Sequence, residues 1–80
     1  MKVRVLVRLK PGVLDVQGKA VERGLTQLGY DSISNVRVGR MVEVDVTSTT
    51  LDGAKDEIKE ICDKLLANPI IEQYEIVEAV

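Results

Sequence analysis

The chain contains no histidine, no tryptophan and no phenylalanine, and its one cysteine is Cys62. Without histidine it lacks the side chain that most often shuttles protons near neutral pH. A lone thiol makes an intrachain disulfide impossible, and no cysteine–histidine cluster with zinc-ligand spacing exists. Tyr30 and Tyr74 are the only aromatics, so the core is aliphatic. The stacking platforms that single-stranded RNA uses on a sheet are missing as well. Basic excess is absent: 11 Lys and Arg face 13 Asp and Glu, for a net charge of -2. That balance argues against nucleic acid as a partner. No apolar run is long enough to span a bilayer, and Met1-Lys2-Val3-Arg4 opens a charged alternating pattern, not a signal peptide. The expected location is cytoplasmic, with no membrane partner.

Catalytic constellations are equally thin. Asp56, Glu57, Glu60 and Asp63 fall on the polar side of one helical segment, where solvated surface charges are ordinary. Cys62 falls among Ile58 and Leu65 and reads as a small core residue; a nucleophilic thiol needs a base or positive surroundings. Gly12 and Gly18, with Lys10 and Lys19 nearby, form the only weak candidate for anion binding, and they fit an ordinary loop better. No catalytic, cofactor-binding or metal-binding residue is expected on this chain.

What is present is a single domain over residues 1–80, of which 45% are apolar. A chain this short buries only about 60% of its unfolded surface, so association is an obvious source of further stability. Residues 2–10 alternate strictly. Val3, Val5, Val7 and Leu9 point one way, and Lys2, Arg4, Leu6, Arg8 and Lys10 the other, which predicts a strand with one buried face. Pro11-Gly12 ends it. Asp15 is suited to cap a helix carrying the stripe Ala20, Val21, Gly24, Leu25 and Leu28, with Gly29 just past its end. Gly24 lies inside that stripe, and close packing on a sheet would account for it. Residues 33–47 predict a hairpin turning at Gly39-Arg40. Ser48-Thr49-Thr50 offers caps for a second helix with Leu51, Ala54, Ile58, Ile61, Cys62, Leu65 and Leu66 on its apolar side, stopped by Asn68-Pro69. Residues 70–79 predict a last strand with Tyr74 and Ile76 on one face.

This order, β-α-β-β-α-β, is the ferredoxin-like α+β pattern: a four-stranded antiparallel sheet with two helices on one face. A faint repeat at an offset of 37 agrees with it, matching Leu14-Asp15 to Leu51-Asp52, Val21 to Ile58, Leu28 to Leu65 and Ile33 to Ile70. The uncovered face would carry Arg4, Leu6 and Arg8 beside Met41, Glu43, Asp45 and Thr47, with Gln73, Glu75 and Val77 on the last strand. Two readings of it stand side by side: a solvated face laced with cross-strand ion pairs, or a wet partner surface centred on Leu6 and Met41.

Two segments carry a family resemblance: Val13-Leu14-Asp15-Val16-Gln17-Gly18, and Leu65-Leu66-Ala67-Asn68-Pro69-Ile70-Ile71-Glu72-Gln73-Tyr74. Val36-Arg37-Val38-Gly39-Arg40 adds to it. Together they resemble PurS, the small subunit of the multi-subunit phosphoribosylformylglycinamidine (FGAM) synthase, over essentially the whole chain. Val16 stands where that family usually has proline, and Arg40 where lysine is common. The resemblance implies a non-catalytic bridge in a glutamine-dependent C–N ligase complex of purine biosynthesis. There, a PurQ-type glutaminase releases ammonia and a PurL-type synthetase uses it to convert formylglycinamide ribonucleotide to its amidine. ATP and magnesium would belong to the synthetase. The chain would pair with itself as a homodimer, or a tetramer when alone. Asp15, Gln17, Gly18, Asn68, Pro69, Glu72 and Tyr74 are the expected partner-contact residues. Of these, Gln17, Glu72 and Tyr74 are hardest to explain by local structure. The alternative is a free-standing, ACT-like module that senses a small molecule.

Overall fold

Among the described residues, three strands and two helices form in the order β1 (Lys2–Leu9), α1 (Val16–Gln27), β2 (Arg40–Asp45), α2 (Leu51–Ile61) and β3 (Glu72–Glu78). The computed structural model describes residues 1–79. β1 is central, in the sheet order β2-β1-β3, and both pairings are antiparallel. Val5 lies opposite Val42 on one side and Ile76 on the other. Val3, Val5 and Val7 are fully buried, as strict alternation on a half-covered sheet requires. Burying each is worth about 1.5–3 kcal/mol.

α2 is the element that covers them. Thr50 caps it, its hydroxyl accepting from the Gly53 N–H at 3.1 Å. Ala54, Ile58 and Cys62 face the three valines, and Leu51, Leu66, Tyr74 and Ile76 close the rim. Over Cys62–Leu66 the helix widens into a π turn, with the Ala67 N–H donating to the Cys62 carbonyl at 3.0 Å. The wider turn slows the rotation of successive side chains. Leu66 and Ala67 therefore reach the core, while Leu65, expected on the apolar stripe, stands 79% exposed.

α1 begins and ends as expected, at the Asp15 cap and at Gly29, whose φ of +95° needs a glycine. It does not lie on the sheet. Gly18 is its only buried residue; Leu28 is 76% exposed, and Val16 and Val21 also face solvent. A Cβ at Gly24 would meet nothing within 4 Å, so sheet packing does not explain that glycine. The expected pair of helices on one face is thus one helix, and α1 projects away. The molecule is elongated, 47 × 28 × 14 Å, with a radius of gyration of 15.7 Å, against about 12 Å for a compact chain of this length.

The expected fourth strand is also absent among the described residues: 33–38 pair with nothing in the sheet. A tight two-residue hairpin needs a left-handed residue at the turn, and Gly39 is not in that conformation. Its constraint is different, since a Cβ there would collide with the Val7 carbonyl oxygen. Asn35, at φ 56°, bends the chain instead. Residues 37–38 are then tied to the first loop: the Val38 backbone N–H donates to Asp15, and the Arg37 side chain donates through Nη2 to the Lys10 carbonyl.

Candidate partner-docking site

The two segments singled out by sequence meet at one end of the sheet. The Lys10 N–H, just past β1, donates to the Ile71 carbonyl at 2.8 Å, which sets the first loop against the turn that precedes β3. Two carboxylates organise the two sides.

Asp15 is buried. Its Oδ1 accepts from the Gly18 N–H at 2.8 Å, the expected cap. Its Oδ2 accepts from the Val38 N–H at 2.7 Å, and the Arg37 Nε lies 3.9 Å away. The N–H donors of Gly18 and Val38, then Arg37, hold its carboxyl below the usual aspartate range. Gly18 is required here because a Cβ would stand 2.7 Å from Asp15 Oδ2 and would collide with the Val36 carbonyl.

Glu72 serves the other side. Arg40 grips it through Nη1 at 2.5 Å and Nη2 at 3.1 Å, and Nη2 also donates to the Leu66 carbonyl at 2.5 Å. The Asn68 N–H donates to Glu72 Oε1 at 2.7 Å. The bond to Arg40, then that from Asn68, lowers the Glu72 carboxyl, and the same pairing raises Arg40. Asn68 shapes the turn, its Oδ1 accepting from the Ile70 N–H at 3.1 Å and its carbonyl from the N–H groups of Ile71 and Glu72. Asp15, Gln17, Arg40 and Glu72 all border a cavity of about 250 Å³ between these loops.

Tyr74 stands apart from that cavity, two residues along β3. It packs against the rim of the core, and its hydroxyl donates to Asp63 Oδ1 at 3.0 Å. Burial, then Asp63, raises its phenol above the ordinary value. Both Glu72 and Tyr74 therefore have local partners that sequence did not suggest. Arg40 and Arg37 are the site residues that sequence reasoning missed. Arg40 sits on β2 and Glu72 on β3, with β1 between them, so no cross-strand pairing rule links the two. Around the turn, Pro69 is exposed and two large apolar side chains, Leu65 and Ile70, stand in solvent.

The site therefore holds fixed, charged hydrogen-bonding groups beside exposed aliphatic ones. Cys62 is buried, and burial, then Asp63, pushes its thiol upward. It lies in the core. Among the described residues, no group of three or more acidic, cysteine or histidine side chains is placed to hold a metal. No helix among them is long and apolar enough to cross a membrane.

An open sheet with one helix packed, one helix free and a polar end makes a small α+β domain with apolar surface left for association. The family model described as PurS, phosphoribosylformylglycinamidine (FGAM) synthase, matches residues 2–79, and the chain belongs to this family. A PurS subunit from a Synechocystis strain is 45% identical over 71 residues, covering 89% of this chain and 71% of the relative. The Methanocaldococcus jannaschii subunit is 37% identical over 75 residues, covering 94% and 90%. The crystal structure of M. jannaschii PurS superposes with a TM-score of 0.84 at 36% identity, covering 99% of this chain and 96% of that one. A structure of PurLQS from Thermotoga maritima gives 0.87 at 28% identity, covering 98% and 95%. Nothing in this family match supports the ACT-like sensing alternative.

Proposed function

We propose that the chain is the bridging subunit of FGAM synthase in purine biosynthesis, working in the cytoplasm between a PurL-type synthetase and a PurQ-type glutaminase. The T. maritima structure, a PurLQS assembly by name, supports that set of partners. The observation that carries the reading is the convergence of both family segments on one end of the sheet, joined by Lys10–Ile71 and braced by Asp15 and Glu72. The chain's contribution is positional. Ammonia released at one active site must reach the other without escaping to water, and a rigid bridge fixes that geometry. ATP and magnesium chemistry belongs to the synthetase.

Within this reading, Asp15, Gly18 and Glu72 shape the docking surface, and Gln17, Asn68 and Pro69 touch the partner along with the exposed Leu65 and Ile70. Tyr74 supports the same end from the core side. The free face of α1 calls for a second copy of the chain, and its apolar exposure is what supports a homodimer, with tetramers when the partners are absent.

Reconstitution tests the function. The chain is mixed with synthetase and glutaminase from the same organism, and amidine formation is followed with glutamine and with ammonium salt. Glutamine-driven turnover requires the chain, and ammonia-driven turnover does not. Equal glutamine-driven rates with and without it would sink the bridging role.

A further inference from the structure

The sheet face opposite α2 carries ion pairs, as one sequence reading anticipated: Arg4 Nε to Glu43 Oε1 at 2.8 Å, and Arg8 Nη2 to Glu75 Oε2 at 3.8 Å. They are not evenly strong. Where β1 approaches the Gly39 bend, a groove of about 380 Å³ opens, bordered by Arg8, Arg37 and Arg40 together with Leu6 and Met41, and no carboxylate lines it. Three arginines thus border one groove in a chain of net charge -2, and Glu75, opposite Leu6 on β3, is the carboxylate nearest Arg8 at its edge.

Arg40 is committed to Glu72 and to the Leu66 carbonyl. Arg8 and Arg37 are not. The carboxylate beside Arg8 is beyond hydrogen-bonding distance at 3.8 Å, and both side chains of that pair are more than half exposed. Arg37 donates to one carbonyl, and its nearest carboxylate, Asp15 at 3.9 Å, is already held by two backbone N–H groups. Each guanidinium has five N–H donors in a flat fork suited to a carboxylate. Leu6 and Met41 face each other across β1 and β2, and Met41 is exposed. A free inorganic anion would use the arginines and leave this aliphatic pair wet. A polypeptide segment with a carboxylate next to an apolar side chain would use both.

We propose that this groove docks an acidic segment of a partner subunit, with its carboxylates on Arg8 and Arg37 and a neighbouring apolar side chain on Leu6 and Met41. The proposal rests on the bridging role and specifies one of its contacts. Charges at the edge of such a contact act mainly on the rate of encounter, and salt weakens them.

The test measures association of the full chain with the purified synthetase and glutaminase subunits, at about 50 and about 300 mM NaCl. Arg8→Glu is expected to slow association with one subunit about tenfold at the lower salt, and the gap should narrow at the higher. Glu75→Gln, which frees Arg8, should associate at least as fast as wild type. Met41→Ala should release its partner severalfold faster. Circular dichroism confirms that each variant is folded. Arg8→Glu binding both subunits within twofold of wild type at both salts would overturn the proposal. So would a change in self-association alone, seen by sedimentation, because the occupant would then be a second copy. If wild type itself binds neither subunit, the bridging role falls as well; if only the Arg8 effect is missing, the bridge stands without this contact.

Discussion

α1 and α2 are near-equal in length and similar in pattern, yet they have opposite fates. Val21 and Ile58 occupy matching positions in the 37-residue repeat; Val21 is 48% exposed and Ile58 2%. α2 lies across the three buried valines of β1. α1 is anchored at its start, through Asp15 and Gly18, and then runs into solvent. An amphipathic stripe states only that a helix needs an apolar partner. It does not state that the partner is in the same chain.

Truncating each helix should separate these cases most widely. Ile58→Ala removes a fully buried side chain and is expected to cost about 3 kcal/mol, a large part of the stability of an 80-residue domain. Urea unfolding should show that loss at every protein concentration. Leu28→Ala should change the stability of the isolated chain by no more than about 0.5 kcal/mol. Its effect should emerge only where the chain self-associates, as a weaker concentration dependence of the midpoint. A loss as large as that of Ile58→Ala at high dilution would mean that α1 folds onto its own sheet.

The anchor of α1 gives a smaller, pH-dependent effect. The carboxyls of Asp15 and Glu72 are lowered by folding. Their stabilisation is therefore complete above the unfolded carboxylate values of about 4 and is lost as pH falls through the folded ones. Asp15→Asn should lower the melting temperature by several degrees at neutral pH, about 5 °C, and should flatten the acid side of the stability curve. An acid limb as steep as that of wild type would show that Asp15 contributes little to it.

Gly24→Ala is the sharpest test. A methyl group there meets nothing in the single chain, so the change should stabilise α1 by up to about 1 kcal/mol. If a second copy packs closely at Gly24, the same substitution weakens the dimer while strengthening the monomer. Sedimentation at several concentrations distinguishes the two outcomes.

Sequence reasoning reached what local chemistry decides. The alternation of β1, the caps at Asp15 and Thr50, the left-handed Gly29 and the stop near Pro69 are each set by a few neighbouring residues. It failed where the deciding contact is distant. Val36 and Val38 alternate like a strand, but Asp15, more than twenty residues earlier, takes the Val38 N–H. Leu65 has helical spacing, but a π turn rotates it outward. The candidate site divides the same way. Its two segments were readable as motifs, whereas the Arg40–Glu72 grip that braces them joins strands that are neighbours neither in sequence nor in the sheet.

That grip joins the two edges of the sheet. Arg40 on one edge strand holds Glu72 on the other, passing the end of β1 and catching the Leu66 carbonyl on the way. A sheet open at both sides is thereby closed at one end into a frame. The Asn68–Ile71 turn is linked through Glu72 and Arg40 to the strand on the opposite edge.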